Sequence, residues 1–533
     1  MAKFLDIFAF VSVLLRGMTL SFEALTVGGV IFALAIARQT PSSPIARGVS
    51  RFTILFSTLL AVTQVLFVSA NSAILMSSAH LTWAEVRGAN YCLAAATIVL
   101  GASVVAGFAR ARWAKFACPL GCMLILFGTV MTSHSAARLD HRGQLAFLTL
   151  IHHAAGAAWI GGLPYLLWTL RGAPNQETAQ SITSRFSRMA MIAVPVLIGA
   201  GAAMALLYVG SLSALTGTTY GVMFSSKVLL TALLISLGAL NLRIVRAVRA
   251  GITADLLPLR RFGEAEVGIG FTVLLAAASL TSTPPAIDVT SGRVTIMEIA
   301  ERMNPKWPRM RTPALEDVSR AIPLKEAATG SLPSSFVPGQ LTQPNTPADI
   351  GWSEYNHHWA GLVVLAAGVL SVLAWRASWA KHWPLVFLGL AAFLFVRADA
   401  ENWPLGPRGF WESFQVAEVA QHRLFVALIV AFGIFEWAVQ TARIPARPSG
   451  LVFPLVCAVG GALLLTHSHS LGNVKEEFLA ELSHTPLAIL AVAAGWSRWL
   501  EVRFAPDRKC VLKCIWPVCF VLIGVLLLNY RES

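Results

Sequence analysis

The chain has 533 residues, of which 56% are hydrophobic and only 13% are charged, and its formal net charge is +14. A soluble domain carries about 25% charged residues, so this composition excludes an ordinary soluble enzyme. It also excludes a disordered chain and one that wraps nucleic acid, because both need a larger polar fraction. The length suits many membrane helices, each of about 20 apolar residues.

Fourteen apolar runs are long enough to cross a bilayer. The first run contains Arg16 and Glu23 and is too long for a signal peptide, so we expect it to be retained. The sequence predicts an all-α polytopic membrane protein with about 14 transmembrane helices in two bundles of eight and six. In chain order the runs cover 7–36, 53–76, 90–108, 113–133, 145–170, 189–208, 222–242, 265–282, 359–375, 383–396, 416–437, 451–467, 484–499 and 513–529.

A segment rich in proline and charge separates the two sets of runs. It is too short for a robust core of its own, and 294–310 within it is predicted to form a short amphipathic helix. The predicted organisation is an eight-helix membrane domain at 1–285, an extracytoplasmic linker at 286–352 and a six-helix membrane domain at 353–533.

The loops alternate in charge along the chain. One side holds about 23 basic and about 7 acidic residues, and the other about 16 basic and about 19 acidic. Cytoplasmic loops are enriched in Lys and Arg, so the first side is predicted to be cytoplasmic and both termini periplasmic. The positive charge is therefore an orientation signal for a multi-pass membrane protein, whose partner is the lipid bilayer and not nucleic acid.

Histidines concentrate on the predicted outer side, which holds eleven of the twelve. Imidazole binds copper, zinc, iron and nickel. Met76 and Met131 precede His80 and His134 at spacings that place two side chains on one helix face. Because thioether sulfur selects Cu(I), the set favours copper, as Cu(I) or Cu(II), over zinc. The alternative is that each histidine caps a helix or contacts lipid headgroups.

The segment His152-His153-Ala-Ala-Gly-Ala-Ala-Trp159-Ile-Gly161-Gly162 resembles the signature of the bacterial copper resistance protein CopD family. The resemblance continues through Arg185-Phe186-Ser187, Tyr220-Gly221, Lys227, Asn241 and Glu266, and covers about 130–286. It implies an inner-membrane protein that handles copper, often beside a periplasmic copper-binding partner of the CopC type. It equates His152 with the family histidine, so that His153 is an addition. The family often has Gly-His-Ala where this chain has Ser133-His134-Ser135. The half at 353–533 resembles the C-terminal extension of some longer members.

Several ionisable residues fall inside or at the mouths of the predicted spans. Such residues are costly in lipid and usually face an interior or a water-filled cavity. One interpretation is a polar path of Arg16, Glu23, Lys227 and Glu266, in which the two carboxylates face a cation. The other is a set of structural ion pairs, with Lys227 as a partner for Glu23.

Two pairs of cysteines lie four residues apart on the predicted inner side. Cys118 and Cys122 form the first pair, and Cys510 and Cys514 the second. Reduced thiols there would suit release of copper to the cytoplasm. Simple packing is the alternative, because cysteine is a common small apolar residue in helices.

The predicted function is non-enzymatic copper handling, as transport, uptake or resistance. The chain has no phosphate loop, which argues against ATP-driven export. One alternative is a membrane haem b oxidoreductase that moves electrons from quinol to an acceptor, with histidines as axial ligands; another is a scaffold that docks a periplasmic copper protein. The candidate metal ligands are His80, Met131, His134, His152 and His153 in the first half, and His357, His358, His422, His467, His469 and His484 in the second.

Overall fold

The computed structural model describes residues 2–37, 43–253, 255–318, 346–414, 417–466, 474–504 and 511–532. Within these ranges the protein is helical and has no β-strand, only an isolated bridge between Asn402 and Arg408. The long apolar helices are α1 Ala2–Ile31, α2 Pro44–Ser78, α3 Asn90–Phe108, α4 Ala114–Met131, α5 Arg142–Arg171, α6 Gln176–Tyr208, α7 Thr219–Arg249, α8 Leu257–Leu280, α9 Pro347–Leu373, α10 Val386–Arg397, α11 Ala417–Gln440, α12 Val452–Leu464, α13 Val474–Arg503 and α14 Leu512–Leu528.

These helices confirm the predicted fold class of a polytopic helical membrane protein. Twelve candidate spans in the described ranges are long and apolar enough to cross a bilayer, and α12 and α14 are shorter apolar helices. A 3₁₀ turn, Ser378–Leu385, leads into α10, and a π-helical turn, Phe32–Ala37, continues α1. The count of spans and the side on which the termini lie stay predictions.

Local sequence signals explain where several helices begin. Ser43 accepts a hydrogen bond from the backbone N–H of Ala46 at 3.1 Å, and Pro44 occupies the first position of α2. Asn175 caps α6 in the same way through the N–H of Thr178 at 2.9 Å. These side chains satisfy N–H groups that the first helical turn leaves without intrahelical partners.

The chain divides into two compact units. The first-half unit comprises Phe10–Leu215 and Met223–Thr290, and the second-half unit comprises Met1–Ala9, Thr216–Val222 and Ser291–Ser533. The first-half core includes Leu60, Ile98 and Ile125. The second-half core includes an aromatic cluster of Trp383, Phe453, Trp516 and Phe520.

A short helix, Ile296–Met303, lies in the predicted linker, within the range that the sequence predicts to be helical. Thr295 and Glu298 form a capping box at its start, and the Lys475 ammonium pairs with Glu298. Its C-terminal end is held by Asn529, whose amide donates to the carbonyl of Met303 at 3.3 Å. Hydrogen bonds and an ion pair therefore join this helix to the ends of α13 and α14.

Candidate polar path and outer histidine sites

A buried carboxylate–imidazole pair lies inside the first-half unit. Glu23 on α1 is 2% exposed, and its Oε1 atom lies 2.9 Å from Nδ1 of His153 on α5. Its other oxygen, Oε2, accepts a hydrogen bond from the Thr129 hydroxyl on α4 at 2.8 Å. Three helices thus contribute one side chain each, and both oxygens of Glu23 have a donor. The partners of Glu23 in the structure are thus His153 and Thr129, whereas its pairing with Lys227 stays a prediction.

Close packing of α1 on α5 explains how Glu23 reaches His153. A Cβ atom at Gly161 would lie 1.8 Å from the carbonyl oxygen of Ala24, and one at Gly28 would lie 2.4 Å from that of Ala157. Only glycine permits this approach of two backbones, as in other membrane helix pairs with small residues at the interface. The same stretch of α5, Ala157–Gly161, is a π-helical turn, a distortion that often occurs at functional sites.

Arg16 lies two helical turns before Glu23 and also contacts the end of α4. Its guanidinium donates to the Thr132 hydroxyl at 2.6 Å and to the Thr132 carbonyl at 3.0 Å. Thr129 and Thr132 therefore connect the two charged residues of α1 through a second helix. The sequence analysis missed both threonines. The two threonines are three residues apart at the end of an apolar helix, so they share one face. That pattern is the signal that could have identified them.

A cavity of about 440 Å³ surrounds Arg16. Its lining is rich in hydroxyl and amide groups, and Met131 also lines it. Arg16 thus adds a positive charge to a cavity of mixed polar and apolar lining. The polar lining residues include Ser12, Asn90, Tyr91, Thr132, Ser133, Thr281 and Ser282.

His134 begins a separate short helix, His134–Ala137, after α4 has ended at Met131. Its Nε2 atom lies 3.4 Å from the carbonyl of Leu280, and its ring contacts Tyr208 edge to face. Burial lowers the pKa of His134, and the Arg16 charge lowers it further, while the bond to Leu280 opposes the shift. The neutral imidazole is therefore favoured.

The predicted helical pairing of methionine with histidine is wrong at both positions. Met131 and His134 lie on different helices. The helix that carries Met76 ends at Ser78, and His80 has a left-handed backbone with φ 53°. Neither pair therefore shares one continuous helix face.

His152 and His153 are adjacent imidazoles on α5. Their ring centroids are 6.3 Å apart and the planes cross at 61°. The Nδ1 atom of His152 lies 3.1 Å from the carbonyl of Leu197 on α6, so that nitrogen carries the proton and donates. In both rings a neighbouring helix holds Nδ1 and thereby sets the direction of Nε2.

A second cavity, of about 300 Å³, lies deeper in the first-half unit. The Glu266 carboxylate accepts a hydrogen bond from the Asn241 amide at 2.5 Å, and both residues line the cavity together with Trp159 and Phe186. These four residues come from separate parts of the family-like segment. Nearby, Glu264 pairs with Arg261 at 2.9 Å and with Arg171 at 3.3 Å, so it has a structural role at the helix end.

Two histidines of the second-half unit pack around Tyr530. The His357 ring stacks on the Tyr530 ring with centroids 3.8 Å apart, and His484 meets the same ring edge to face at 5.9 Å. The His357 and His484 rings are themselves 6.4 Å apart. Their Nδ1 atoms bond to the carbonyls of Ser353 and Ala480, each one turn earlier on the same helix. Sequence analysis missed Tyr530, which lies after the last apolar run.

His358 is fully buried and both of its ring nitrogens are occupied. The backbone N–H of Arg309 donates to Nδ1 at 2.7 Å, and Nε2 lies 3.0 Å from the carbonyl of Tyr530. In this arrangement His358 fastens the linker and the end of α14 to α9.

His422 pairs with Asp399 at 2.8 Å, and His467 and His469 lie outside the described residues.

The cysteines of α4 lie in an apolar environment. Cys118 and Cys122 are both buried in the first-half core with Leu60 and Ile125. Cys514 is exposed, and Cys510 lies outside the described residues. The α4 pair is thus placed for packing.

Within the described ranges, no three His, Cys, Asp or Glu side chains come together in a group that could hold a metal ion. The side chains that do come together form pairs: Glu23 with His153, His152 with His153, His357 with His484, and Asp399 with His422. A metal at any of them would have few protein ligands.

Comparison with known proteins identifies part of the first half. Residues 180–280 match the family described as copper resistance protein D, CopD. A relative, the copper transport protein CutJ of Bacillus subtilis (strain 168), is 27% identical over 199 residues, which are 36% of this chain. The matched part of this chain spans only 35% of the length of that relative. No solved structure matches this chain. Over residues 180–280 the chain is therefore similar to the CopD family, and its apolar helices are those of a multi-pass bacterial membrane protein.

Proposed function

We propose that this protein handles copper in the bacterial inner membrane and moves it through the first-half unit without ATP. The observation that carries the proposal is the buried Glu23–His153 pair. Both the family of residues 180–280 and the relative are named for copper, one for resistance and one for transport. These names support copper and give no support to the haem b alternative.

Glu23 acts in this proposal by orienting His153. A ligating histidine usually donates its second ring N–H to a carboxylate, which fixes the tautomer and raises the basicity of the metal-binding nitrogen. With Nδ1 donating to Glu23, the Nε2 atom of His153 carries the free lone pair. His152 is prepared in the same way by the Leu197 carbonyl. Two oriented imidazoles then offer copper a site with few ligands, as a soft Cu(I) ion accepts.

Weak sites along the unit suit transport better than one tight site. An ion must leave each site as readily as it enters. We place capture near His134 and Met131, transfer at His152 and His153, and exit near Glu266. A monovalent cation moving inward gains about 2.3 kcal/mol per 100 mV of membrane potential, so no nucleotide is required.

The second-half unit adds outward-facing imidazoles to this scheme. We propose that His357, His422 and His484, with His467 and His469, collect copper at the periplasmic surface. A CopC-like periplasmic protein is the predicted donor. His358 is left out of this ligand set because both of its nitrogens are already bonded.

Copper uptake into proteoliposomes tests the proposal, with Cu(I) and Cu(II) supplied in separate arms. We expect uptake above that of empty vesicles, a loss of about tenfold in His153→Ala, and a change of less than about twofold in His80→Ala. His80 is a matched control because it is exposed on a loop and, since its predicted helical pairing with Met76 is lost, it is left out of the proposed route. Uptake equal to that of empty vesicles in both arms would refute transport, and a haem Soret band lost in His484→Ala would favour the oxidoreductase.

A further inference from the structure

A buried carboxylate in the second-half unit has one oxygen without a partner. Glu436 on α11 is 1% exposed. Its Oε1 atom accepts a hydrogen bond from the Gln440 amide at 2.6 Å, whereas Oε2 has no hydrogen-bond partner among the described residues. A buried polar atom without a partner is costly, and an ionised carboxylate in that position is costlier still.

The cation that interacts with Glu436 is already bonded to another carboxylate. Arg498 on α13 lies close enough to Glu436 to interact with it electrostatically, but its Nη1 atom donates to Glu501 at 2.7 Å. The same Glu501 oxygen accepts the indole N–H of Trp516 at 2.8 Å. Glu501 therefore receives the two strong donors, and Glu436 receives only a neutral amide.

Two further basic groups described beside α11 contact Trp437 rather than Glu436. Cys457 on α12 faces it and is neutral as a thiol. The indole N–H of Trp437 donates to Nδ1 of His382 at 2.8 Å. The guanidinium carbon of Arg443 lies 4.0 Å from the centroid of the Trp437 ring. Trp437 is the residue after Glu436 in the helix, and side chains one residue apart on a helix do not face each other.

We propose that Glu436 is a proton-binding site of the second-half unit. The cluster of Glu436, Arg498 and Glu501 contains two carboxylates and one guanidinium, so one bound proton makes it neutral. Glu501 accepts hydrogen bonds from Arg498 and Trp516, as an ionised carboxylate does. The proton therefore resides on Glu436. Release of that proton would leave an uncompensated buried charge beside Arg498 and Glu501. The inference does not depend on copper.

Infrared spectroscopy of the purified full-length protein tests this site. The difference spectrum between wild type and Glu436→Gln at neutral pH should contain one carboxylic acid C=O band. Glu501→Gln removes one negative charge, so Arg498 then balances Glu436 and the band should weaken at least about fivefold. Glu301→Gln, at an exposed position of the linker helix, is the matched control and should leave the band unchanged.

Residue-specific labelling gives a second readout. Dicyclohexylcarbodiimide modifies protonated carboxyl groups in apolar surroundings, and peptide mass spectrometry would locate the adduct at Glu436. Melting temperatures of the variants show whether each one folds. A spectrum without the carboxylic acid band in wild type, or a band that Glu501→Gln leaves unchanged, would overturn the proposal whatever the copper experiments show.

Discussion

Glu23 illustrates how a single buried residue connects three helices of the first-half unit. Its two oxygens accept from different helices, one from the Thr129 hydroxyl and one from His153. These contacts give both oxygens of Glu23 a partner inside the helical bundle, where an unpaired carboxyl group is costly. They also direct Nε2 of His153 away from Glu23, so in the proposed route the carboxylate orients the imidazole and does not need to bind copper itself.

The Thr129 hydroxyl should therefore matter for both stability and copper uptake. Thr129→Val keeps the shape of the side chain but leaves Glu23 Oε2 without its donor. Side-chain hydrogen bonds in membrane proteins contribute about 0.6 kcal/mol on average and up to about 1.7, so we expect a loss of stability in that range and slower uptake. Thermal unfolding in detergent and the proteoliposome assay measure the two effects. Thr58→Val, at an exposed position of α2, should change neither, and equal losses in both variants would contradict the role of Thr129.

Residue spacing predicted only part of this arrangement. Arg16 and Glu23 share a face of α1, and the need for a bridge between them follows from their seven-residue separation. The choice of His153 as the partner of Glu23 does not follow from the sequence, because the family resemblance points to His152. Which imidazole faces α1 depends on how α1 packs on α5, including the close approach of Gly161 to Ala24, and this packing is a tertiary feature.

At the scale of helices, the two-glycine part of the Trp159-Ile-Gly161-Gly162 motif sets the distance between α1 and α5. Gly161→Ala would place a Cβ atom 1.8 Å from the Ala24 carbonyl oxygen. We expect α1 to move outward, with a loss of stability of about 1–3 kcal/mol and a marked loss of copper uptake. Thermal unfolding and uptake measure both consequences.

Gly199→Ala on α6 is the matched control for that substitution. A Cβ atom there meets no atom within 4 Å, so the variant should be as stable as wild type or gain up to about 1 kcal/mol from helix propensity. If Gly161→Ala behaved like Gly199→Ala, the close approach of the two backbones would not be needed for the fold.

The linker helix Ile296–Met303 depends on an ion pair at its first turn. The Lys475 ammonium, and then the N–H and hydroxyl of Thr295, lower the pKa of Glu298 to about 2. A carboxyl group with a lowered pKa stabilises the folded state above its ordinary pKa of 4.5, and this contribution is lost as the pH falls through about 2. At neutral pH the contribution is fully present.

Glu298→Gln should therefore loosen this helix at neutral pH. We expect faster hydrogen–deuterium exchange over 296–303 in the variant, and no such change in Glu301→Gln on the same helix. The difference between wild type and Glu298→Gln should shrink as the pH falls from 4.5 toward 2. Equal exchange in the two variants at neutral pH would show that the pairing with Lys475 does not hold the helix.

Across the whole chain, hydropathy predicted the membrane helices well because the bilayer requires long apolar segments whose backbone groups are satisfied internally. Interruptions of those helices were harder to foresee. The break between Met131 and His134, and the left-handed residue at His80, both removed histidines from the faces that spacing had assigned to them. Periodicity assumes that a helix continues, and it carries no signal for the residue at which the chain leaves the membrane.

The distribution of charge makes a testable statement about the sidedness of the molecule. The basic loops should be cytoplasmic and the histidine-bearing loops periplasmic. Leu139, Ile252 and Trp307 are 92%, 80% and 96% exposed, so cysteines at these positions should react readily wherever reagent is present. In a background without the natural cysteines, a membrane-impermeant maleimide applied to intact spheroplasts should label Leu139→Cys and Trp307→Cys. It should label Ile252→Cys at least about tenfold less until the membrane is permeabilised. Strong labelling of Ile252→Cys in intact spheroplasts would reverse the predicted orientation, and with it the assignment of the histidines to the side from which copper arrives.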